Sequence, residues 1–275
     1  KGIEANDSVR IGGGNITVTS DNDSIHSDGD VYIQDGVLEL ASGDDGIHAD
    51  LNNYILGGTI NITKSYEAIE GTTITISGGN ITAVSSDDGL NASFSKDSND
   101  SQDGRRMNEF ETDGDALITI SGGTIYLDCE GDGVDSNGNI IMTGGEVYVA
   151  GPMSSGNGAL DYNGSFKITG GTLLAVGSNG MAMNVSEAEQ GSIMISFSGS
   201  YSGEIKVTDS NGNEVLSYTI NKSFSSITVS SPDLKKGETY TISIGDTYQT
   251  VTLDDYIYGS GNGMGGGMMR GGGWH

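Results

Sequence analysis

The chain has 275 residues, of which 46 are glycine, two are proline and 34% are hydrophobic. Its formal net charge of −26 leaves too few basic residues to neutralise phosphates, so we expect neither nucleic acid nor anionic membrane surfaces as partners. No apolar run is long enough to cross a membrane, and the single cysteine, Cys129, excludes a disulfide within the chain.

A repeat of about 22 residues, built on a Gly-Gly turn, begins near the N-terminus. Its turns are Gly13-Gly14, Asp35-Gly36, Gly57-Gly58, Gly78-Gly79, Gly122-Gly123, Gly144-Gly145 and Gly170-Gly171. The second residues of these pairs are 22, 22, 21, 44, 22 and 26 positions apart, so one gap spans two periods. A period this short, with strand-like residues after each turn, predicts a solenoid.

Three apolar columns recur in every period. The residues two and four positions after each turn are apolar in every repeat and form the first column. A second strand ends with an apolar residue just before each turn and supplies the second column. The third column comprises Ile3, Ile25, Ile47, Ile69, Leu90, Val134, Leu160 and Ala182. We therefore predict an all-β protein whose main part is a right-handed parallel β-helix of about eight coils, and rank a sandwich or propeller below it.

The repeat stops near residue 192, and a different set of strands follows. Asn211-Gly212 lies between two of these strands and is a strong hairpin signal. We predict a parallel β-helix over residues 1–192 with an insertion at 94–115, and an antiparallel β module over 193–255 that caps the last coil. Residues 256–275 are rich in glycine and methionine, and we expect them to be flexible.

Acidic residues form two columns that flank the third apolar column. Equivalent residues of successive coils stack roughly 4.8 Å apart, and two carboxylates at that separation repel by about 3 to 4 kcal/mol at an effective dielectric near 20. Protons, salt or a bound cation must relieve this repulsion. The candidate cation ligands are Asp44, Asp45, Glu67, Glu70, Asp87, Asp88, Asn91, Asp132 and Asp135.

Oxygen ligands that converge from adjacent coils suit a hard divalent cation. The flexible coordination of Ca²⁺ fits such a set better than the strict octahedron of Mg²⁺, so Ca²⁺ is the expected cofactor. A solvated acidic ridge is the alternative. His26 and His48, which are 22 residues apart, suggest zinc or copper, but neither a cysteine nor a third histidine joins them in the repeat.

Several runs in the chain resemble the clostridial cell-surface carbohydrate-binding proteins that have a polysaccharide-lyase-like β-helix. The runs are Ser86-Asp87-Asp88-Gly89-Leu90-Asn91-Ala92-Ser93, Gly43-Asp44-Asp45-Gly46-Ile47-His48-Ala49-Asp50 and Gly131-Asp132-Gly133-Val134-Asp135-Ser136. The resemblance covers roughly residues 1–255. It implies calcium sites, binding of plant cell-wall polysaccharides such as acidic pectin-type sugars, and a secreted or surface-attached extracellular protein of a Gram-positive bacterium.

Tyrosines on the predicted outer face are candidates for carbohydrate contacts. Tyr126 and Tyr148 occupy the same column one coil apart, where exposed rings would stack on successive sugar units; the alternative is a tyrosine ladder that stabilises the sheet. The candidate partners are polygalacturonate, which needs Ca²⁺ to bridge its carboxylates to those of the protein, and cellulose. We expect a monomer.

Two other functions also fit the sequence. A calcium-dependent polysaccharide lyase of the pectate type needs a base beside its substrate, and Lys64, three residues before Glu67, is the one suspect. A surface adhesin or structural spacer would use calcium only to stiffen the rod. The sequence favours a binding protein without catalytic residues.

Overall fold

The structure, a computed structural model, describes residues 1–93 and 114–259, and every regular element in those two ranges is a β-strand. In this part of the chain we find no helix with the length and apolar character needed to span a membrane. The predicted insertion at 94–115 and the predicted tail at 256–275 lie mostly outside the described residues.

Within residues 1–93 and 114–190, sixteen strands build the solenoid. They are β1 (Ile3–Ala5), β2 (Ser8–Thr19), β3 (Ile25–Ser27), β4 (Asp30–Ala41), β5 (Ile47–Ile55), β6 (Thr59–Lys64), β7 (Ile69–Ile76), β8 (Asn80–Ser85), β9 (Leu90–Ala92), β10 (Leu117–Ile120), β11 (Thr124–Cys129), β12 (Val134–Ser136), β13 (Asn139–Ala150), β14 (Leu160–Tyr162), β15 (Phe166–Gly177) and β16 (Glu187–Ala188).

These strands pair in parallel with their equivalents one coil further on. Ile16 lies opposite Leu38, and Leu38 lies opposite Ile60, each 22 residues along the chain. The pairing gives about eight turns and confirms the predicted parallel β-solenoid. Strand β10 pairs with β7, and β12 pairs with β9, so the coils before and after residues 94–113 remain direct neighbours.

The apolar columns meet inside the solenoid, as their alternation predicts. Ile25, Ile47, Ile69 and Leu90 of the third column are fully buried and lie opposite one another in sequence. Each coil thus contributes a few branched side chains to one continuous core, and removing this apolar surface from water is the main stabilising term.

The glycine of each repeated turn is required by the backbone. Gly58 has a φ of 88°, which side chains disfavour, and a Cβ placed there would lie 2.9 Å from the carbonyl oxygen of Gly36 in the preceding coil. Gly123 has the same combination, with a φ of 85° and 2.8 Å to the oxygen of Gly79. Close stacking of coils therefore explains why the repeat is built on glycine.

Between residues 191 and 259, five further strands form the C-terminal module. They are β17 (Gly191–Asp209), β18 (Glu214–Ser231), β19 (Thr239–Ile244), β20 (Thr247–Thr252) and β21 (Ile257–Tyr258). Strands β17 to β20 pair antiparallel, and Gly212, with a φ of 84°, lies in the predicted hairpin turn between β17 and β18. Strand β17 is continuous but carries register shifts against β18 between Ser196 and Gly203.

The module covers the last complete coil along its edge and side. Strand β18 pairs antiparallel with β15, from Leu173 opposite Ser230 to Gly177 opposite Ser226. Outward-facing Leu174 and Val176 of the solenoid belong to the module's own apolar core. An otherwise open strand edge is thereby paired, which removes a template for aggregation.

Candidate functional site

The polar column beside the third apolar column is continuous along one corner of the solenoid. Register places His26 opposite His48, His48 opposite Glu70, Glu70 opposite Asn91 and Asn91 opposite Asp135. The stacking predicted from the repeat is therefore present. Each side chain of this column therefore has as its neighbours the equivalent side chains of the adjacent coils, as in any parallel β-helix.

The second acidic column has a structural role that the sequence did not reveal. The backbone N–H of Asp45 donates to Asp23 Oδ1 at 3.4 Å, that of Glu67 donates to Asp45 Oδ1 at 3.2 Å, and that of Asp132 donates to Asp88 Oδ1 at 2.6 Å. Each aspartate thus accepts a hydrogen bond from the next coil at the equivalent position. Glu67 breaks the series, because its carboxylate accepts instead from Asn91 Nδ2 at 3.0 Å.

A charged group with a histidine at its centre lies in the first coils. His48 Nδ1 is 3.3 Å from Asp45 Oδ2 and 3.3 Å from Glu70 Oε2. Burial opposes the charge on His48, but its hydrogen bond to Asp45 and the charges of Glu70 and Asp45 raise the pKa of the imidazole to about 9. Burial also acts against ionised Asp45, but hydrogen bonds from His48 and Glu70 hold its pKa below the usual value.

The predicted cation cluster of Asp45, Glu67, Glu70, Asp88 and Asn91 is divided in the structure. Asp45 and Glu70 meet around His48, whereas Glu67 contacts Asn91. Within residues 1–93 and 114–259, three triads have ligand atoms within 4.8 Å of one another: Asp23, His26 and His48; Asp45, His48 and Glu70; Asp23, Asp44 and Asp45.

A second group of acids, which we call the oxygen group, comprises Glu67, Asp88, Asn91, Asp132 and Asp135. Burial, reinforced by neighbouring carboxylates, raises the pKa of Glu67, Asp88 and Asp135 to about 8 each and that of Asp132 to about 6. No described basic residue forms an ion pair with these carboxylates. Asn91 Oδ1 is buried and has no hydrogen-bond partner among the described residues.

These residues could hold a hard divalent cation. An oxygen-only donor set, a buried amide oxygen without a donor and carboxylates that resist ionisation are what a hard cation would satisfy. Among the described residues, the acids of this group do not form a triad whose ligand atoms all lie within 4.8 Å of one another. Calcium accepts six to eight ligands, including water, in flexible geometry, so it tolerates such spacing better than magnesium does.

An open cavity of about 390 Å³ adjoins both groups. Its lining includes Lys1, Asn22, Asp44, Tyr66 and Glu67. The Tyr66 side chain is 49% exposed, and its hydroxyl is hydrogen-bonded to Asp87, which raises the pKa of Tyr66 to about 12. A flat apolar ring beside carboxylates is a surface on which a sugar ring can stack while its hydroxyls or carboxylate meet polar groups.

Sequence reasoning missed Tyr66, although a signal was present. The backbone N–H of Tyr66 donates to the carbonyl of Asp44, and the N–H of Asp87 donates to the carbonyl of Tyr66, so the three residues form one column. A single aromatic residue between two aspartates of a repeat marks a position that departs from the structural pattern.

Tyr126 and Tyr148 are register partners, as predicted, but the expectation that both rings are exposed is wrong. The ring of Tyr148 stacks on Tyr218 of the C-terminal module with centroids 3.9 Å apart, and Tyr126 lies 6.5 Å from Tyr218. Both are half-buried against the module's core. Packing accounts for Tyr148, whereas Tyr126 and Tyr218 also line a cleft of about 380 Å³ together with Thr82.

Lys64 stands apart from the acidic cavity. It ends strand β6, its side chain is exposed, and it is not part of the cavity lining. Among the described ion pairs, none joins Lys64 to a carboxylate.

Comparison with known proteins gives one match. A family model described as carbohydrate-binding domain-containing protein matches residues 1–156, more than half of the chain. That span contains every candidate cation ligand, Tyr66 and the cavity. No curated protein and no solved structure matches the chain.

Proposed function

Since the chain belongs to the family of carbohydrate-binding domain-containing proteins, we propose that it binds an acidic, pectin-type polysaccharide of the plant cell wall with the help of calcium. The observation that carries this proposal is the cavity in which exposed Tyr66 stands beside Asp44 and Glu67. The ring would stack on a sugar, and the acids would act through a cation.

Calcium is needed for electrostatic reasons. A protein of net charge −26 repels a uronate polymer, and a divalent cation held by protein carboxylates offers free coordination positions to the sugar carboxylate. Asp44, Asp45 and Asp23 would hold one ion at the cavity, because their oxygens approach within 4.8 Å. The oxygen group would hold a second ion further along the corner.

We also propose an extracellular location, secreted or attached to the cell surface, because a cell-wall polymer is met outside the cell. Binding without turnover is the proposed activity. It is supported by the position of Lys64, which lines no part of the acidic cavity. Calcium would hold the polymer and stabilise the corner, and no residue is assigned a catalytic role.

Affinity electrophoresis tests this proposal directly. Chelator-treated protein is run through gels that contain polygalacturonate, fully methyl-esterified pectin or soluble cellulose derivative, each with Ca²⁺ or with chelator. We expect retardation only with polygalacturonate and Ca²⁺, because only that polymer carries carboxylates for the ion to bridge. Retardation that persists in chelator, or equal retardation by the esterified polymer, would contradict the calcium bridge.

A pair of tyrosine variants separates the cavity from other surfaces. Tyr66→Ala removes the exposed ring beside the acids, and Tyr248→Ala removes a ring of similar exposure, 46%, on the C-terminal module. We expect Tyr66→Ala to lose most of the retardation and Tyr248→Ala to keep it. Incubation with polygalacturonate should produce no ultraviolet absorbance from unsaturated products, whereas such absorbance would establish a lyase instead.

A further inference from the structure

A cleft of about 380 Å³ lies between the outer face of the solenoid and strand β18 of the C-terminal module. Its lining consists of Asn80, Ile81, Thr82, Thr124, Tyr126, Tyr218 and Thr219. No residue of this lining carries a charge, although the chain as a whole has a net charge of −26. The cleft is therefore chemically distinct from the acidic corner that the proposed function uses.

Two acids that neighbour the lining in sequence or register already have partners. Asp128, which is in the same strand as Tyr126, lies 3.0 Å from Lys222 Nζ. Glu146, in the strand of the next coil, is hydrogen-bonded to the side chain of Tyr148. A ligand in the cleft thus meets an uncharged surface, which suits an uncharged ligand.

The polar side chains of the cleft are available to a ligand. Within residues 1–93 and 114–259, the two tyrosines, the three threonines and the asparagine of the lining form no side-chain hydrogen bond. One coil before Thr82 the same column is bonded internally, because Asn61 Nδ2 donates to Glu39 Oε2 at 2.7 Å. Hydroxyl and amide groups both donate and accept hydrogen bonds. They therefore match the hydroxyl groups of a sugar, which do the same.

The aromatic wall of the cleft is held in place by the solenoid. The ring of Tyr218 stacks on Tyr148 with centroids 3.9 Å apart and an angle of 13° between the planes. Tyr126 lies 6.5 Å from Tyr218, with its ring tilted by 33°. Lys222, four residues further along β18, fixes the same strand to two carboxylates of the solenoid. The rings are thus preorganised, which reduces the entropy that a ligand would cost on binding.

We propose that this cleft is a second binding site, which takes an uncharged sugar unit without calcium. The ring of Tyr126 offers an apolar face to the C–H groups of the sugar, and the threonine hydroxyls and the asparagine amide bind its hydroxyl groups. Tyr218 and Thr219 belong to the C-terminal module, outside the residues 1–156 that the family model matches. The module therefore completes a site that the matched part of the chain does not contain by itself.

This site differs from the calcium-dependent cavity at Tyr66 in both ligand and test. One sugar unit has only about a dozen non-hydrogen atoms, so we expect a dissociation constant of about 1 mM. With polymer below about 0.1 mM in sugar units the site stays mostly empty, so gel retardation at such concentrations reports the calcium-dependent cavity alone. Failure of either proposal leaves the other intact.

An NMR titration of the ¹⁵N-labelled, chelator-treated protein tests the site. The uncharged probes are galactotriose, mannotriose, xylotriose and cellotriose, and trigalacturonate is the charged counterpart of galactotriose. We expect at least one uncharged probe to shift the amide signals of Thr82, Tyr126 and Thr219 saturably without Ca²⁺. Trigalacturonate should shift them far less, because the acidic protein repels it.

Two variants and a matched control locate the binding. Tyr126→Ala removes the ring and should weaken binding about fivefold or more, and Thr82→Lys should abolish binding, because its long side chain fills the cleft. Thr82 is exposed, so its variant should fold even if the half-buried Tyr126 variant does not. Thr17→Lys makes the same change at an exposed position of the same column, three coils earlier, and should leave binding unchanged.

Three results would each overturn the site. They are the absence of saturable shifts with all four uncharged probes, equal binding by Thr82→Lys and Thr17→Lys, and equally strong shifts of the same amide signals by trigalacturonate in chelator.

Discussion

Single residues show why aspartate recurs beside the core. An aspartate of the column accepts a backbone hydrogen bond from the next coil, as Asp45 does from Glu67, and this bond fixes the turn. Glu67 is one methylene longer and contacts Asn91 instead. The same column therefore combines structural acids with a carboxylate that is available to a ligand.

The buried acids predict a pH dependence of stability in chelator. The pKa of Glu67, Asp88 and Asp135 is raised to about 8 in the folded state, above the ordinary values of 4.5 for glutamate and 3.8 for aspartate. The folded state then binds more protons, so stability falls as pH rises from about 4 to 8. His48, with a pKa near 9, adds stability below pH 6.5 that is lost as pH rises through 9.

Urea unfolding at pH 5 and pH 9 measures this dependence. We expect a lower midpoint at pH 9 in chelator and a smaller difference in Glu67→Gln, which cannot ionise at that position. Calcium should raise the midpoint more at pH 9 than at pH 5, since protons compete with the ion. Equal midpoints at both pH values in chelator would contradict the raised pKa values.

Two turn glycines allow the cost of a disfavoured φ to be separated from the cost of a steric clash with the neighbouring coil. Gly58→Ala introduces both a disfavoured φ and a Cβ 2.9 Å from a backbone oxygen, whereas Gly212→Ala has a similar φ of 84° but meets nothing within 4 Å. We expect Gly212→Ala to cost about 1 to 2 kcal/mol and Gly58→Ala to cost more, measured by denaturant unfolding. Equal costs would show that coil stacking does not require glycine.

Polar contacts join the C-terminal module to the solenoid. Lys222 of β18 is 15% exposed and lies 3.0 Å from Asp128, 2.9 Å from Glu130 and 2.6 Å from the carbonyl of Cys129. One side chain thus neutralises two carboxylates and satisfies a strand-end carbonyl. The module is fixed to the solenoid by polar contacts as well as by its apolar core.

Removing this lysine should weaken that junction. Lys222→Met leaves a buried carbonyl and two acids without their partner, so we expect a loss of about 1 to 3 kcal/mol in the free energy of unfolding. Lys206→Met is the matched control, because Lys206 forms an exposed pair with Glu214 and such pairs contribute about 0 to 1 kcal/mol. A loss in Lys222→Met no larger than in Lys206→Met would show that the junction does not depend on it.

The elements also show what the sequence can reveal. Strand order, register and the apolar columns follow from the Gly-Gly period, because each coil contacts only its neighbours. Tyr148 of the solenoid contacts Tyr218 of the C-terminal module, which lies 70 positions further along the chain, and the repeat of the solenoid does not predict such a contact. The sequence also did not reveal that some acids turn toward His48 and another toward Asn91. A repeated column predicts which residues are neighbours, but not the direction of each side chain.

At the scale of the whole molecule, the solenoid presents a row of carboxylates along one corner. Successive coils repeat at roughly 4.8 Å, so the carboxylates form a linear array. A charged polymer could follow this array, with cations between the polymer and the protein. Under the proposed function, the strong negative charge would make binding depend on those cations, and raising ionic strength alone should not replace them, since screening offers no ligands.

The most direct test of this account is a calorimetric titration of the chelator-treated protein with hexagalacturonate, performed with Ca²⁺ and with an equal ionic strength of NaCl. We expect saturable heat with calcium and none with sodium. Binding of equal strength with sodium, or no binding of the oligosaccharide in the presence of calcium, would contradict it.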